Sequence, residues 1–155
     1  MNICVLGASG FIGRHLTATL HARGHDVVTE SIRDVQRAAR CAAGCEALIN
    51  LAGEPLAGRR WTNEVKHRIR SSRVDATRDL IAALASQPAR PRVFVAASAI
   101  GYYGTSVEGT FTEQSPPGKD FLATVCADWE REARSGAASG MRVTTIRSGL
   151  VLGPD

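Results

Sequence analysis

The chain has 155 residues and a mass of 16.5 kDa, enough for one domain with a substantial core. At 44% hydrophobic and 22% charged it is neither disordered nor fibrous, and no apolar run approaches the roughly 18 residues of a membrane span. The net charge of +4 rests on 17 Arg and 2 Lys, too diffuse to mark a nucleic-acid surface but suited to gripping a phosphate-bearing ligand.

In chain order, residues 2–6 read as a strand, and Gly7-Ala8-Ser9-Gly10-Phe11-Ile12-Gly13 follows directly. Residues 14–22 carry Leu16 and Leu20 on one helical face, and Gly24 ends that helix. Glycines spaced GxxGxxG between a strand and a helix have a physical job. Gly7 permits the tight turn, Gly10 lets backbone approach a pyrophosphate, and Gly13 lets the helix pack closely on the strand. The helix start then offers free N–H groups and a partial positive charge to the phosphates. Dinucleotide binding is therefore expected, with Gly7, Ser9, Gly10, Phe11, Ile12 and Gly13 around the phosphates. No basic leader precedes the first strand, so a soluble, cytoplasmic protein is expected.

A second strand is expected at 25–29, with Asp34 capping a helix that runs through Cys41 and closes at Gly44. The end of that strand chooses the dinucleotide. A carboxylate there accepts the ribose 2′-hydroxyl of NAD, whereas an arginine holds the 2′-phosphate of NADP. Glu30 offers the first and Ser31 with Arg33 the second; NADP is the preferred reading, with NAD as the alternative. Too few residues separate Thr29 from Ala47 for a helix–strand–helix passage, so a third strand is expected to be absent or reduced to a few residues around 31–34.

Residues 47–51 read as the next strand, and Thr62 as the cap of a long helix to about Ser86 with Val65, Ile69, Ala76, Leu80 and Leu84 near one face. Arg59, Arg60, Lys66, Arg68, Arg70, Arg73 and Arg78 form the densest charge run, opposed within it by Glu64 and Asp75. Its plain reading is a solvated helix face; its sharper one has Arg73 or a neighbour reaching cofactor phosphates or an anionic substrate. Only Trp61 stands near it as an aromatic, so nucleic acid is not an expected partner. Residues 93–97 form a strand apolar on both faces, Asp120 starts a helix with Phe121, Val125, Trp129 and Ala133 four apart, and 142–146 form the last strand. The alternation predicts an α/β fold, a Rossmann-type doubly wound parallel sheet of five or six strands with a shortened second-to-third strand region. Of the four cysteines, Cys4 and Cys126 read as small hydrophobes; Cys41 and Cys45 stand one helical turn apart without a second His or Cys pair, so no metal site is expected.

The GASGFIG turn, Asn50-Leu51-Ala52-Gly53, Ser98 with Tyr102-Tyr103-Gly104, Thr112-Glu113 and Arg147 with Leu152-Gly153-Pro154 resemble the extended short-chain dehydrogenase/reductases. More narrowly, NLAGEPLAGRRW (50–61), Ser72-Arg73, SAIGYYG (98–104) and TEQSPPG (112–118) look like an atypical branch of epimerase-family proteins. That branch is nucleoside-diphosphate-sugar epimerase-like, or cell-division-inhibitor-like. The resemblance implies NADP(H) binding and adds Leu51, Ala52, Gly53, Arg73 and Arg147 to the cofactor residues. It implies hydride transfer on a nucleotide sugar or a similar hydroxyl or carbonyl substrate, and homodimerisation through the long helices. Proteins of this kind continue into a C-terminal half that supplies most of the substrate pocket. This chain stops at Asp155, so a truncated Rossmann half without that substrate domain is expected.

In the wider superfamily a Ser, a Tyr and a Lys four residues after the Tyr carry the chemistry. The aligned helix here reads Phe121-Leu-Ala-Thr-Val125, so the acid–base pair is missing. Ser98, Tyr102 and Tyr103 remain as candidate catalytic hydroxyls, although an ungapped alignment on Tyr103-Gly104 puts Ala99 at the usual serine position. The alternative is a non-catalytic dinucleotide-binding regulatory or scaffold protein related to cell division.

Overall fold

Five short runs of apolar and β-branched residues line up as one parallel sheet in a computed structural model, which describes residues 1–58, 60–107 and 109–153. Arg59 of the basic run and the chain end at Pro154 and Asp155 lie outside the described residues. The elements are β1 (Asn2–Leu6), α1 (Phe11–Ala22), β2 (Asp26–Glu30), α2 (Val35–Ala43), β3 (Ala47–Asn50), α3 (Asn63–Arg70), α4 (Ala76–Ala85), β4 (Val93–Ala99), α5 (Phe121–Ser135) and β5 (Arg142–Ser148). The strand order is β2-β1-β3-β4-β5, all pairs parallel. Among the described residues no strand lies outside β2: residues 31–34 form a corner that leads straight into α2, and β2 is a sheet edge.

Alternation along the strands sorts the core into two layers. Ile3, Val5 and Ala47 face α1 and pack with Leu20, Val27 and Ile49. Cys4, Leu6, Leu48, Phe94 and Ala96 face the other way, onto Ala38, Ala39 and Ala42 of α2, Leu80 and Leu84 of α4, and Ala133 of α5. Small alanines on α2 let it lie close to α4. A third cluster joins Val65 and Ile69 of α3 to Val125 and Trp129 of α5. On β5, Ile146 is half exposed, and Leu150 and Leu152 beyond it are open to solvent.

Several boundaries differ from the sequence expectation for local reasons. The second strand starts at Asp26 because the His25 N–H closes the end of α1 on Leu20 O, while Asp26 N–H reaches Met1 O. The fourth and fifth strands run on to Ala99 and Ser148, since Ser98↔Arg147 and Ala99↔Ser148 still pair. The long helix from Thr62 is real but loosens into a π-helical turn at Ser71–Asp75 between α3 and α4. Thr62, Asp34 and Asp120 cap their helices through side-chain oxygens, as their positions predict. Among the described residues, no helix is long and apolar enough to cross a membrane.

Candidate functional site

The carboxyl ends of β1, β2 and β3 open onto a cleft of about 620 Å³ lined by Gly7, Ser9, Gly10, Glu30, Ser31, Arg33, Leu51, Ala52 and Gly53, with Ser72 and Ala76 on its far wall. This is where an open α/β sheet gathers ligands, at the point where strand order reverses. Gly7 has φ +81°, and a Cβ there would stand 2.8 Å from the backbone of Leu51 and Ala52. A Cβ on Gly13 would stand 2.2 Å from the Gly7 carbonyl. Side chains at either position would close the turn, so these glycines keep β1, β3 and α1 packed round an open backbone cradle. Gly10 begins α1 without a side-chain cap, which leaves the first-turn N–H groups for a ligand. Phe11, Ile12 and Gly13 form that first turn behind the cleft wall.

The opposite wall is tied to the π-helical turn. Ser72 Oγ accepts the Glu54 N–H at 2.9 Å, and the Arg73 guanidinium packs so closely under Gly53 that a Cβ there would sit 2.8 Å from its Cζ. Arg73 also donates to Ile69 O at 3.3 Å and lies 5.4 Å over the Trp129 ring. Burial lowers its pKa from the ordinary arginine value, yet a guanidinium keeps its charge. Below it, buried Asn50 orders the loop after β3. Its Oδ1 accepts the Ala52 N–H at 3.1 Å, and its amide donates to Thr77 Oγ1, which also takes the Trp129 indole N–H.

Ser98 and Arg147 stand apart from the cleft lining, together with a residue the motifs did not mark. Glu130 of α5 is 1% exposed, and its carboxylate collects donors from three elements. Oε1 accepts Ser98 Oγ at 2.6 Å and Arg147 Nε at 2.7 Å, while Oε2 accepts Arg147 Nη2 at 2.8 Å and a bond from Arg134. Arg147 further donates to Tyr103 Oη at 2.9 Å and to the Glu113 carbonyl, and its Cζ lies 3.4 Å over the Tyr102 ring. Burial would raise the Glu130 pKa, but the bonds from Arg147 and Ser98 outweigh it and hold the carboxyl below its ordinary value; the bonds to Glu130 and Tyr103 push Arg147 up. So the structure pairs the Arg147 guanidinium with Glu130 and the tyrosines, and the Ser98 hydroxyl with Glu130. Tyr102 and Tyr103 are brought together with both on the turn after β4. The signal for Glu130 was a carboxylate inside the apolar stripe Cys126, Trp129, Ala133, a place where a charge needs partners.

Phe121 and Val125 are packing residues. Val125 is buried among Val65, Ile69, Val74 and Trp129, and Phe121 borders that cluster beneath Trp61 and Lys66. The basic run is largely paired: Arg68 with Glu64 and Glu54, Arg70 with Asp128 and Asp75, Arg78 with Asp75 and Asp79. Cys4 and Cys41 touch at 3.8 Å between β1 and α2, all four cysteines are free, and among the described residues no group of three or more His, Cys, Asp or Glu is arranged to hold a metal.

Comparison with known proteins agrees with this geometry. The model of the NAD dependent epimerase/dehydratase family matches residues 3–155. The chloroplastic SDR39U1 homologue of Arabidopsis thaliana, an epimerase family protein, is 41% identical over all of this chain and 50% of its own length. The crystal structure of human epimerase family protein SDR39U1 with NADPH superposes with a TM-score of 0.83 at 30% identity, covering 100% of this chain and 56% of that one. A nucleoside-diphosphate sugar epimerase from Corynebacterium glutamicum superposes with a TM-score of 0.77 at 32% identity, over 95% of this chain and 33% of its own. The chain spans about half the length of the curated relatives it matches.

Proposed function

The chain belongs to the NAD dependent epimerase/dehydratase family, and from that membership we propose that its cleft holds NADP, with NAD as the weaker alternative, as the dinucleotide half of an epimerase-like oxidoreductase. The observation that carries the reading is the backbone cradle: positive φ at Gly7, no space for a Cβ at Gly7 or Gly13, and an uncapped α1 start facing an open cleft. The NADPH in the human SDR39U1 structure, a relative of the same fold, supports it.

In this reading the first turn of α1 at Phe11, Ile12 and Gly13 gives its unpaired N–H groups to the pyrophosphate, Gly7 and Ser9 border it, and Gly10, whose own N–H is held by the Gly7 carbonyl at 3.1 Å, lets the backbone approach it. Ser31 and Arg33 meet the adenosine ribose, and Leu51, Ala52 and Gly53 border the opposite side of the cofactor. Arg73 acts from beneath Gly53 as a fixed cation. When bound, the nicotinamide supplies hydride transfer. The substrate is a nucleotide sugar or a similar hydroxyl or carbonyl compound, and most of its pocket belongs to a C-terminal half such as the longer relatives carry. Tyr102 and Tyr103, held by Arg147, are the hydroxyls nearest in role to a proton donor, and Ser98 supports them through Glu130. Homodimerisation through the long helices and a cytoplasmic setting belong to the same proposal.

The second reading, a dinucleotide-binding regulatory or scaffold protein without catalysis, is favoured by one observation: Phe121 and Val125 lie in a packed apolar cluster where the superfamily keeps its Tyr/Lys pair. Fluorescence titration with NADPH and NADH tests the cleft, and absence of binding by either overturns both readings. Incubating the loaded protein with nucleotide sugars while following nicotinamide absorbance separates them: substrate-dependent turnover supports the enzyme, and silence across the panel supports the binder.

A further inference from the structure

We propose that Arg37, a residue outside every motif, selects the phosphorylated dinucleotide by masking Glu30. The inference rests on the dinucleotide reading of the cleft and concerns which ribose that cleft takes. Glu30 is the last residue of β2, in register with Leu6 and so beside the glycine turn, and it lines the cleft between Thr29 and Ser31. A free carboxylate at this point accepts a ribose 2′-hydroxyl and repels a 2′-phosphate. Taken alone, Glu30 would mark the site for NAD.

The carboxylate is not free. Its Oε1 accepts the Ser31 N–H at 2.9 Å, and its Oε2 accepts Arg37 Nε at 2.6 Å. Arg37 is set by the start of α2. Its own N–H bonds to Asp34 Oδ1 at 2.9 Å, and Asp34 is the cap of that helix, so cap and corner fix where the guanidinium begins. Buried Ile32 anchors the same corner in the core beneath α2 and α4. The Glu30 side chain is 15% exposed, whereas Arg37 is 67% exposed, so the pair stands at the cleft's rim with its cationic member outward.

The charge balance then decides. Glu30 and Asp34 are offset by Arg33 and Arg37, and the two guanidiniums flank the corner. Among the described residues, the terminal nitrogens of Arg37 and the side chain of Arg33 have no other partner. They are the donors a phosphate takes in a planar, bidentate way. Removing Arg37 leaves two carboxylates against Arg33 alone, at the point where a phosphate carries nearly two negative charges. Glu30 would then turn from a neutralised rim residue into an acceptor for a free 2′-hydroxyl.

The test is the ratio of NADPH to NADH dissociation constants, read by fluorescence titration of the reduced nicotinamide in wild-type protein, Arg37→Ala, Glu30→Gln and the double variant. Arg37→Ala is expected to weaken NADPH roughly tenfold while NADH holds or tightens. Glu30→Gln in the Arg37→Ala background is expected to recover part of the NADPH affinity, because the repelling charge is gone while Arg33 alone is left to donate to the phosphate. Equal weakening of both cofactors, an unchanged ratio, or no recovery in the double variant overturns the proposal, and so does wild-type protein that prefers NADH. If wild-type protein binds neither dinucleotide, the reading of the cleft itself fails. A ratio indifferent to Arg37 with NADPH bound sinks this inference alone.

Discussion

Replacing Glu130 by glutamine keeps the side chain's shape, removes its charge and turns an NH2 group toward the Arg147 fork. The carboxylate is 1% exposed and takes four donors, two of them from Arg147, whose side chain is itself only 13% exposed. Breaking such a pair by removing one partner strands the other charge and costs about 3–5 kcal/mol. That is a large part of the roughly 5–15 kcal/mol that holds a domain folded. For a chain of this length each kcal/mol moves the melting temperature by about 2–4 °C, so thermal unfolding of Glu130→Gln should begin roughly 6–20 °C lower. The pH dependence gives a second readout. Because the folded pKa of Glu130 lies below its ordinary value, its contribution is complete above about pH 4.5 and is lost as pH falls toward the folded value. The gap between wild type and variant should therefore be widest near neutral pH and narrow in acid. Exposed Arg134 adds little, and Arg134→Ala should cost less than about 1 kcal/mol. A Glu130→Gln melting temperature within about 1 °C of wild type, or a gap that stays constant into acid, refutes the reasoning.

The glycine cradle predicts that Gly13→Ala, whose Cβ would meet the Gly7 carbonyl at 2.2 Å, loses at least about tenfold in dinucleotide affinity and about 1–3 kcal/mol of stability. Gly24→Ala, strained by φ +76° but with nothing within 4 Å, should lose some stability and no affinity; equal affinity losses in both titrations count against the cradle. Gly53→Ala should push the Arg73 guanidinium aside and weaken cofactor binding with little change in melting temperature, and unchanged binding would remove Arg73 from the site. Burial raises the thiol pKa of Cys4, Cys45 and Cys126, so maleimide should label them slowly in native protein at neutral pH and quickly after denaturation; peptide mapping that finds native Cys4 labelled fast contradicts this.

The parts of the molecule that were legible in the sequence are those where one residue type serves one backbone need. Gly7 and Gly13 advertise a turn that tolerates no Cβ, and Asp34, Thr62 and Asp120 advertise helix starts, because each requirement is local. The shortened passage from β2 to β3 was legible too: too few residues separate Thr29 from Ala47 for helix, strand and helix, and of the two outcomes expected, absence or a short remnant at 31–34, the described residues show no strand there. What stayed hidden depends on which side chains meet across distant elements. Arg147 joins the cofactor residues through the family resemblance alone, and no local pattern shows where its guanidinium points. Its direction is set by Glu130, 17 residues back on the helix that covers β4. The same holds for Ser98, whose hydroxyl donates to that buried carboxylate across elements no local pattern links.

Glu30 is the sharper lesson, because its meaning changes sign with a partner seven residues away. By position it is the acid that favours a free ribose hydroxyl; by contact it is half of an ion pair that a phosphate can approach. A motif names the residue that faces a ligand, but the charge presented belongs to the residue together with whatever neutralises it. Here the neutralising group sits in the first turn of α2, where the cap at Asp34 directs it, and the shortened route from β2 to β3 sets that helix start next to the corner at 31–33 that lines the cleft. The strand lost from this sheet and the cofactor preference proposed for it have a common origin. With no further strand to cross to, the chain turns into α2 directly at the end of β2, and that turn sets Arg33 on the cleft and Arg37 on Glu30, the residue proposed to meet the ribose.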